Sequence, residues 1–237
     1  MSEQTIALVT GANKGIGYEI AAGLGARGMR VGVGARDDAR REEAVEKLRA
    51  AGVDAFGVPL DVTSDESVAA AAASLDRLDV LVNNAAITGG MPQTPTAVTP
   101  ETIRTVVETN VIGVVRTTNA FLPLLRRSAA PRIVVMSSTV GSLTRQTDRQ
   151  GETGPISGAY APSKTFLNGM VVQYAKELAD TPIKINLACP GYVATDLNGF
   201  RGHRTPEQGA IAAIRLATLG DDGPSGAFYD EDGPIPW

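Results

Sequence analysis

Short β-branched runs alternate with helix-length stretches along the whole chain of 237 residues, and no other feature limits its folding so tightly. "TIALVT" (5–10), "MRVGVGA" (29–35), "AFGVPL" (55–60), "LDVLVN" (78–83), "RIVVMSS" (132–138) and "IKINLAC" (183–189) read as strands, and "GAFYD" (226–230) as a last edge strand. Between them, residues 15–28, 38–52 and 64–75, a long stretch from about Pro100 to Arg127, another from about Ala159 to Ala179, and a segment opened by Pro206 read as helices. Strands separated by helices form βαβ units and a parallel sheet. Right-handed crossovers then place helices on both faces. The continuous apolar pattern of the fourth run marks a strand buried on both sides. Asp38 and Ser64 are the expected N-caps of the second and third helices, and Gly52 the expected stop of the second.

The expected fold is therefore α/β: a single domain over residues 1–237 with a Rossmann-type doubly wound parallel sheet of about seven strands. No stretch reads as a linker, and this length suits one large core. Composition narrows the function classes. Net charge is -4 with both signs scattered, so no basic patch points to nucleic acid or an anionic membrane surface. No apolar run is long enough to span a bilayer, and the first residues lack the pattern of a secretory signal. Cys189 is the only cysteine, which fits a reducing cytoplasm, the expected location. His203 is the only histidine, so two-histidine metal sites are excluded and no metal site is expected. Acid-base chemistry in such a chain falls to tyrosine, lysine or carboxylates.

"TGANKGIG" (10–17) follows the first strand and opens the first helix. Gly11, Gly15 and Gly17 permit a tight turn, close approach of a pyrophosphate and close helix–strand packing. Lys14 lies inside this loop. Arg36 follows the second strand, where an acidic residue would bind the ribose 2′-hydroxyl of NAD. An arginine there suits a 2′-phosphate, and Ala35 places no carboxylate against it. The expected cofactor is NADP(H).

"YAPSK" (160–164) places a phenol four residues before an ammonium, on one helical face. A neighbouring ammonium favours phenolate and lowers the tyrosine pKa. Pro162 is tolerated only near a helix start, so Tyr160 belongs in or just before the first turn.

Taken in order, "TGANKGIG", "LDV" (60–62), "NNAA" (83–86), "ETNVIG" (108–113), "VVMSS" (134–138), "YAPSK" and "ACPGYVATD" (188–196) resemble the short-chain dehydrogenase/reductase family over essentially the whole chain. The chain looks most like the carbonyl-reductase branch. The resemblance implies an NADP(H)-dependent enzyme that reduces a small-molecule ketone or aldehyde to an alcohol. It implies Tyr160 as the general acid, Lys164 as its partner and a holder of the nicotinamide ribose, Ser138 as the group that polarises the carbonyl, and Asn110 as the orienter of a water joining Lys164 to solvent. Ser137 is the adjacent competitor for the serine role, and alternation along a strand keeps the two from facing one site. By the same resemblance Asn13 and Ile16 join the glycine loop, Asp61 and Val62 contact adenine, Asn84 and Ala85 line the cofactor, and Asn83 braces the sheet. Pro190, Gly191, Val193 and Thr195 would hold the carboxamide.

Alternatives from other classes are a non-catalytic NADP-binding redox sensor and an NAD-dependent alcohol dehydrogenase working in the oxidising direction. Ala86 stands where the family usually has glycine, which matters only if φ is positive there. The polar loop "RQTDRQGETGPIS" (145–157) is read as a shield on the Tyr160 helix, a shaper of the substrate mouth, or a solvated loop, so monomer and homo-oligomer both stay open. Phe200, Asn198, Met91, Thr139 and Val140 are candidates for substrate contact. The "GPIPW" tail is read as a cover on the pocket, a cover on a neighbouring copy's pocket, or a frayed end.

Overall fold

The structure, a computed structural model, describes residues 4–148 and 154–237. Seven parallel strands lie in the order β3-β2-β1-β4-β5-β6-β7. They are β1 (Ile6–Thr10), β2 (Arg30–Ala35), β3 (Ala55–Pro59), β4 (Val80–Asn83), β5 (Arg132–Met136), β6 (Lys184–Ala188) and the short edge β7 (Phe228–Tyr229). β1 pairs with β2 and β4, in registers that set Leu8 beside Gly32 and Leu81. The winding reverses between β1 and β4, and in open parallel sheets that reversal opens a crevice at the carboxyl ends of the strands.

The helices form two layers. α1 (Gly15–Gly25), α2 (Asp38–Ala50) and α8 (Pro206–Ala217) cover one face, where Ile20, Leu24, Leu48 and Ala213 meet Val9 and Val33. α3 (Asp65–Ala73), α5 (Gly113–Leu125) and α7 (Tyr160–Glu177) cover the other, where Phe121, Leu125, Leu167 and Val171 meet Leu8, Leu81 and Ile133. Phe121 is fully buried, so truncating it to alanine costs about 3–5 kcal/mol. Two further helices, α4 (Pro100–Val107) and the short α6 (Leu143–Thr147), lie beside the crevice loops. No helix among the described residues is long and apolar enough to cross a membrane.

Local chemistry explains the boundaries. Ser64 caps α3 by accepting from Ser67 N, and Gly52, at φ 83°, follows α2. The cap of α2 differs from expectation: Asp37, extended and just ahead of the helix, accepts from Arg40 N at 2.9 Å, whereas Asp38 is already helical. The expected continuous helix from Pro100 is also divided. Glu108–Ile112 widens into one π-helical turn between α4 and α5, and Asn110 sits in it. Such turns are rare and concentrate at functional sites. α7 begins at Tyr160, so Pro162 falls among the first three helical residues, whose N–H groups have no intrahelical acceptor.

Candidate active site

The crevice is a cleft of about 670 Å³ at the carboxyl ends of the strands. Glycines form its floor. Gly11 (φ 65°) and Gly15 (φ 57°) occupy the left-handed region. A Cβ on Gly17 would stand 2.5 Å from both Gly11 O and Asn84 Nδ2. Asn13 and Ile16 complete the loop wall. No side chain caps α1, so its first-turn N–H groups are left for an anion in the cleft.

The same loop is bolted to β4. Thr10 Oγ1 accepts from Asn84 N (2.9 Å) and Ala85 N (3.0 Å), and Asn84 Nδ2 donates to Thr10 O at 2.9 Å. Asn84 and Ala85 both line the cleft. Asn83 turns the other way and braces β4 on α5 through Thr118 Oγ1 at 3.1 Å. Ala86 is not at positive φ, so alanine replaces glycine there without strain.

Lys14, Arg36 and Arg40 stand together at one end of the cleft. Arg36 is exposed at the end of β2, as expected. Arg40 is absent from the sequence reading; its signal is the i,i+4 spacing from Arg36 across the start of α2. Asp37 lies 3.8 Å from Arg40, and Asp196 pairs with Lys14 at 3.0 Å across the cleft. The Lys14 hydrogen bond holds the Asp196 carboxyl below its usual range. Asp61 and Val62 line the same end. Partial burial pushes the Asp61 carboxyl up, but hydrogen bonds from Thr63 and the charges of Arg36 and Arg116 outweigh it, so its pKa is lowered overall. Glycines without room for a side chain, uncapped helical amides and clustered cations fit a phosphate-bearing dinucleotide.

At the opposite end, Tyr160 and Lys164 share the first turns of α7 and line the cleft. Ser138 leaves the end of β5 close enough to the Tyr160 hydroxyl to pull its pKa down, but it is not itself among the residues lining the cleft. Ser137 forms part of the cleft wall, but its hydroxyl is turned away: Oγ donates to Asn168 Oδ1 at 2.6 Å. The structure therefore separates the two hydroxyls as alternation requires and brings the second to the tyrosine. Lys164 is 2% exposed, and its Nζ donates to Met136 O at 2.8 Å.

The expected lowering of the tyrosine pKa is reversed. Burial pushes the Tyr160 phenol well above its ordinary value, the neighbouring Cys189 adds to this, and only Ser138 pulls it down. Burial likewise lowers Lys164 to about 8. Lys164 Nζ lies 5.6 Å from the centre of the Tyr160 ring. Loss of water outweighs attraction at that distance.

Asn110 is fully buried behind the cleft. Its Oδ1 accepts from Ile87 N, and its Nδ2 donates to Ile87 O (both 2.9 Å) and to Ser163 Oγ (3.0 Å). It thus ties the loop after β4 to α7. Pro190 and Thr195 line the cleft, while Gly191 and Val193 do not. Gly191 is at φ 74° with Arg204 packed over it. Val193 turns its side chain into the core. Cys189 is buried, and burial raises its thiol, which stays neutral at ordinary pH. His203 is exposed, its ring 6.0 Å from that of Tyr192.

Met91, Thr139 and Val140 lie outside the cleft, on the loops that follow β4 and β5. Asn198 also lies outside it and braces its own loop, donating from Nδ2 to Val193 O at 2.8 Å. Phe200 is 66% exposed at φ 60°, a strained setting for an aromatic residue. The tail does not fray. Trp237 stacks on Phe228 at 6.1 Å, Pro236 O accepts from Ser142 Oγ, and Trp237 O accepts from Thr144 N. Of the 145–157 loop, residues 149–153 lie outside the described residues.

Residues 5–205 match the family model for short chain dehydrogenase, and the chain belongs to that oxidoreductase family. Short-chain dehydrogenase/reductase 1 of Saponaria officinalis is 33% identical, with 100% of this chain and 97% of the relative covered. That alignment spans 296 positions, more than the chain's 237, so the relative carries insertions this chain lacks. Among solved structures, salutaridine reductase from Papaver somniferum superposes with a TM-score of 0.83 at 30% identity, covering 95% of this chain and 99% of that one. A single-site variant of actinorhodin polyketide ketoreductase with NADPH superposes with a TM-score of 0.84 at 31% identity, covering 98% and 97%.

Proposed function

We propose that this chain reduces a ketone or aldehyde carbonyl to an alcohol with NADPH, and that Tyr160 gives the proton. The observation that carries the reading is the juxtaposition of Tyr160 with buried Lys164, and of Ser138 beside them, at the end of a cleft whose other end holds Lys14, Arg36 and Arg40. A bound nicotinamide supplies the hydride, and the protein supplies position and electrostatics.

Ser138 Oγ donates to the carbonyl oxygen and polarises it. Because burial keeps Tyr160 a neutral phenol, the residue holds its proton for that same oxygen as negative charge develops there. Lys164 at about 8 is mostly charged at neutral pH, and its charge favours the tyrosinate left behind. Asn110 keeps the loop after β4 and α7 together behind these groups. Lys14, Arg36 and Arg40 favour NADP over NAD because a 2′-phosphate brings charge that they meet. Reduction follows from the reducing state of NADP pools, and the proposed setting is the cytoplasm, where a lone cysteine such as Cys189 stays reduced.

The four large hydrophobics with highest exposure among the described residues are Met91 (80%), Ile156 (70%), Phe200 (66%) and Leu143 (59%). All lie on segments following β4, β5 or β6, at the cleft's end of the sheet. None of the four lines the cleft, so they do not define the carbonyl compound. The name of the solved ketoreductase with NADPH agrees with this chemistry. The test is loss of nicotinamide absorbance from NADPH across a panel of ketones and aldehydes. NADPH binding without oxidation by any of them would contradict the reading and favour a redox sensor.

A further inference from the structure

Helix α7 carries a third polar side chain on the face that presents Tyr160 and Lys164. Asn168 follows Lys164 by one turn, and at this spacing the three residues share a face. Asn168 is 4% exposed. The chemistry proposed above does not use it.

Its amide is nevertheless engaged at both ends. Oδ1 accepts from Ser137 Oγ at 2.6 Å, and Nδ2 donates to Gly141 O at 3.2 Å. These partners bracket the turn that carries Ser138. Ser137 extends the pairing with β6 through its N–H to Ala188 O at 2.8 Å, and Gly141 closes the turn with its N–H to Ser138 O at 2.8 Å. Thr165 Oγ1 adds a second bond to Gly141 O at 3.1 Å. Gly141 also rests against the Lys164 backbone, where a Cβ would come within 2.9 Å.

Ser138 has no comparable anchor of its own. Its Oγ accepts from Val140 N at 3.4 Å, a long bond, and the residue is partly exposed. Its aim therefore depends on the backbone at positions 137 and 141. We propose that Asn168 is a positioning residue: by clamping both ends of the Ser138 turn to α7, it fixes Ser138 Oγ against the Tyr160 hydroxyl. One helix then holds the acid and the clamp on the group that works with it, so a tilt of α7 moves both together. The proposal rests on Ser138 and Tyr160 acting in carbonyl reduction.

The test is a double-mutant cycle between Asn168→Leu, which keeps the volume and removes both bonds, and Ser138→Ala. Asn168→Leu alone should lower kcat by about a hundredfold, the scale of a misplacement near one ångström. The NADPH dissociation constant, read by fluorescence titration, should stay within about twofold of the parent, since no bond of Asn168 touches the glycine loop. The double variant should turn over no more slowly than Ser138→Ala. Independent, multiplying losses would overturn the proposal, as would a loss of NADPH affinity equal to the loss of kcat. If Asn168→Leu does not fold, Ser137→Ala removes the shorter bond alone; it should slow the parent by about tenfold and leave Ser138→Ala unchanged, and an equal slowing of both overturns the clamp. Full turnover by Ser138→Ala would overturn this proposal and the role of Ser138 together, whereas a slow Ser138→Ala with a fully active Asn168→Leu overturns the clamp alone.

Discussion

Lys164 Nζ donates to Met136 O at 2.8 Å while standing 5.6 Å from the centre of the Tyr160 ring. The ammonium is therefore anchored to the end of β5 and buried, and the Tyr160 ring beside it is partly buried at the cleft wall. Burial favours the neutral form of each: it moves the phenol up and the lysine down to about 8.

A pH dependence follows. The profile of kcat/KM reports groups of the free enzyme. Reduction should be constant near neutrality and fall as pH rises through about 8, because Lys164 loses the charge that favours tyrosinate. A profile flat to pH 10 would deny Lys164 that role.

The same group predicts a stability change. The folded pKa of Lys164 is depressed from its ordinary 10.5 to about 8. Between those values the unfolded chain binds more protons, so stability rises with pH across that window, and the full cost of the buried charge is present below it. The difference corresponds to roughly 3 kcal/mol. Lys164→Met should therefore raise the melting temperature at pH 7, with the gain shrinking toward pH 10, while carbonyl reduction is lost. Thermal unfolding at the two pH values checks this.

Arg36→Asp should weaken NADPH binding about tenfold to a hundredfold, the scale of a lost charge-assisted hydrogen bond made worse by a new repulsion, and leave NADH binding within about twofold. Titration of both cofactors decides it. Equal losses would remove the 2′-phosphate argument.

Gly17→Ala tests the floor of the cleft. The added Cβ would stand 2.5 Å from Gly11 O, and that atom is backbone, so the glycine loop must shift. NADPH affinity should fall by more than about tenfold, since the loop is placed for close approach of the pyrophosphate. Unchanged affinity would show that the loop does not contact the cofactor.

Much of the fold and part of the site are legible in the sequence. The alternation of strand and helix runs reveals a parallel sheet covered on both faces, while the strand order and the strand ends at Met136 and Ala188 come from the structure. The start of α7 is readable because Pro162 permits few other placements. Tertiary detail is less accessible. Asp37 and Asp38 are adjacent and equally able to cap, and only the backbone selects between them. The π turn at Asn110 has no composition signal. Arg40 and Asn168 reveal themselves only through i,i+4 spacing from residues already suspected, a pattern common on any helix. The tyrosine pKa runs against expectation because sequence shows the nearby ammonium but not the burial that outweighs it.

Tyr160→Phe tests the central claim most directly. Phenylalanine keeps the ring and its packing and removes only the hydroxyl. NADPH titration should give a dissociation constant within about twofold of the parent, while carbonyl reduction should fall by at least about a hundredfold, the low end expected for a positioned general acid. Reduction at the parent rate with NADPH bound would contradict the account.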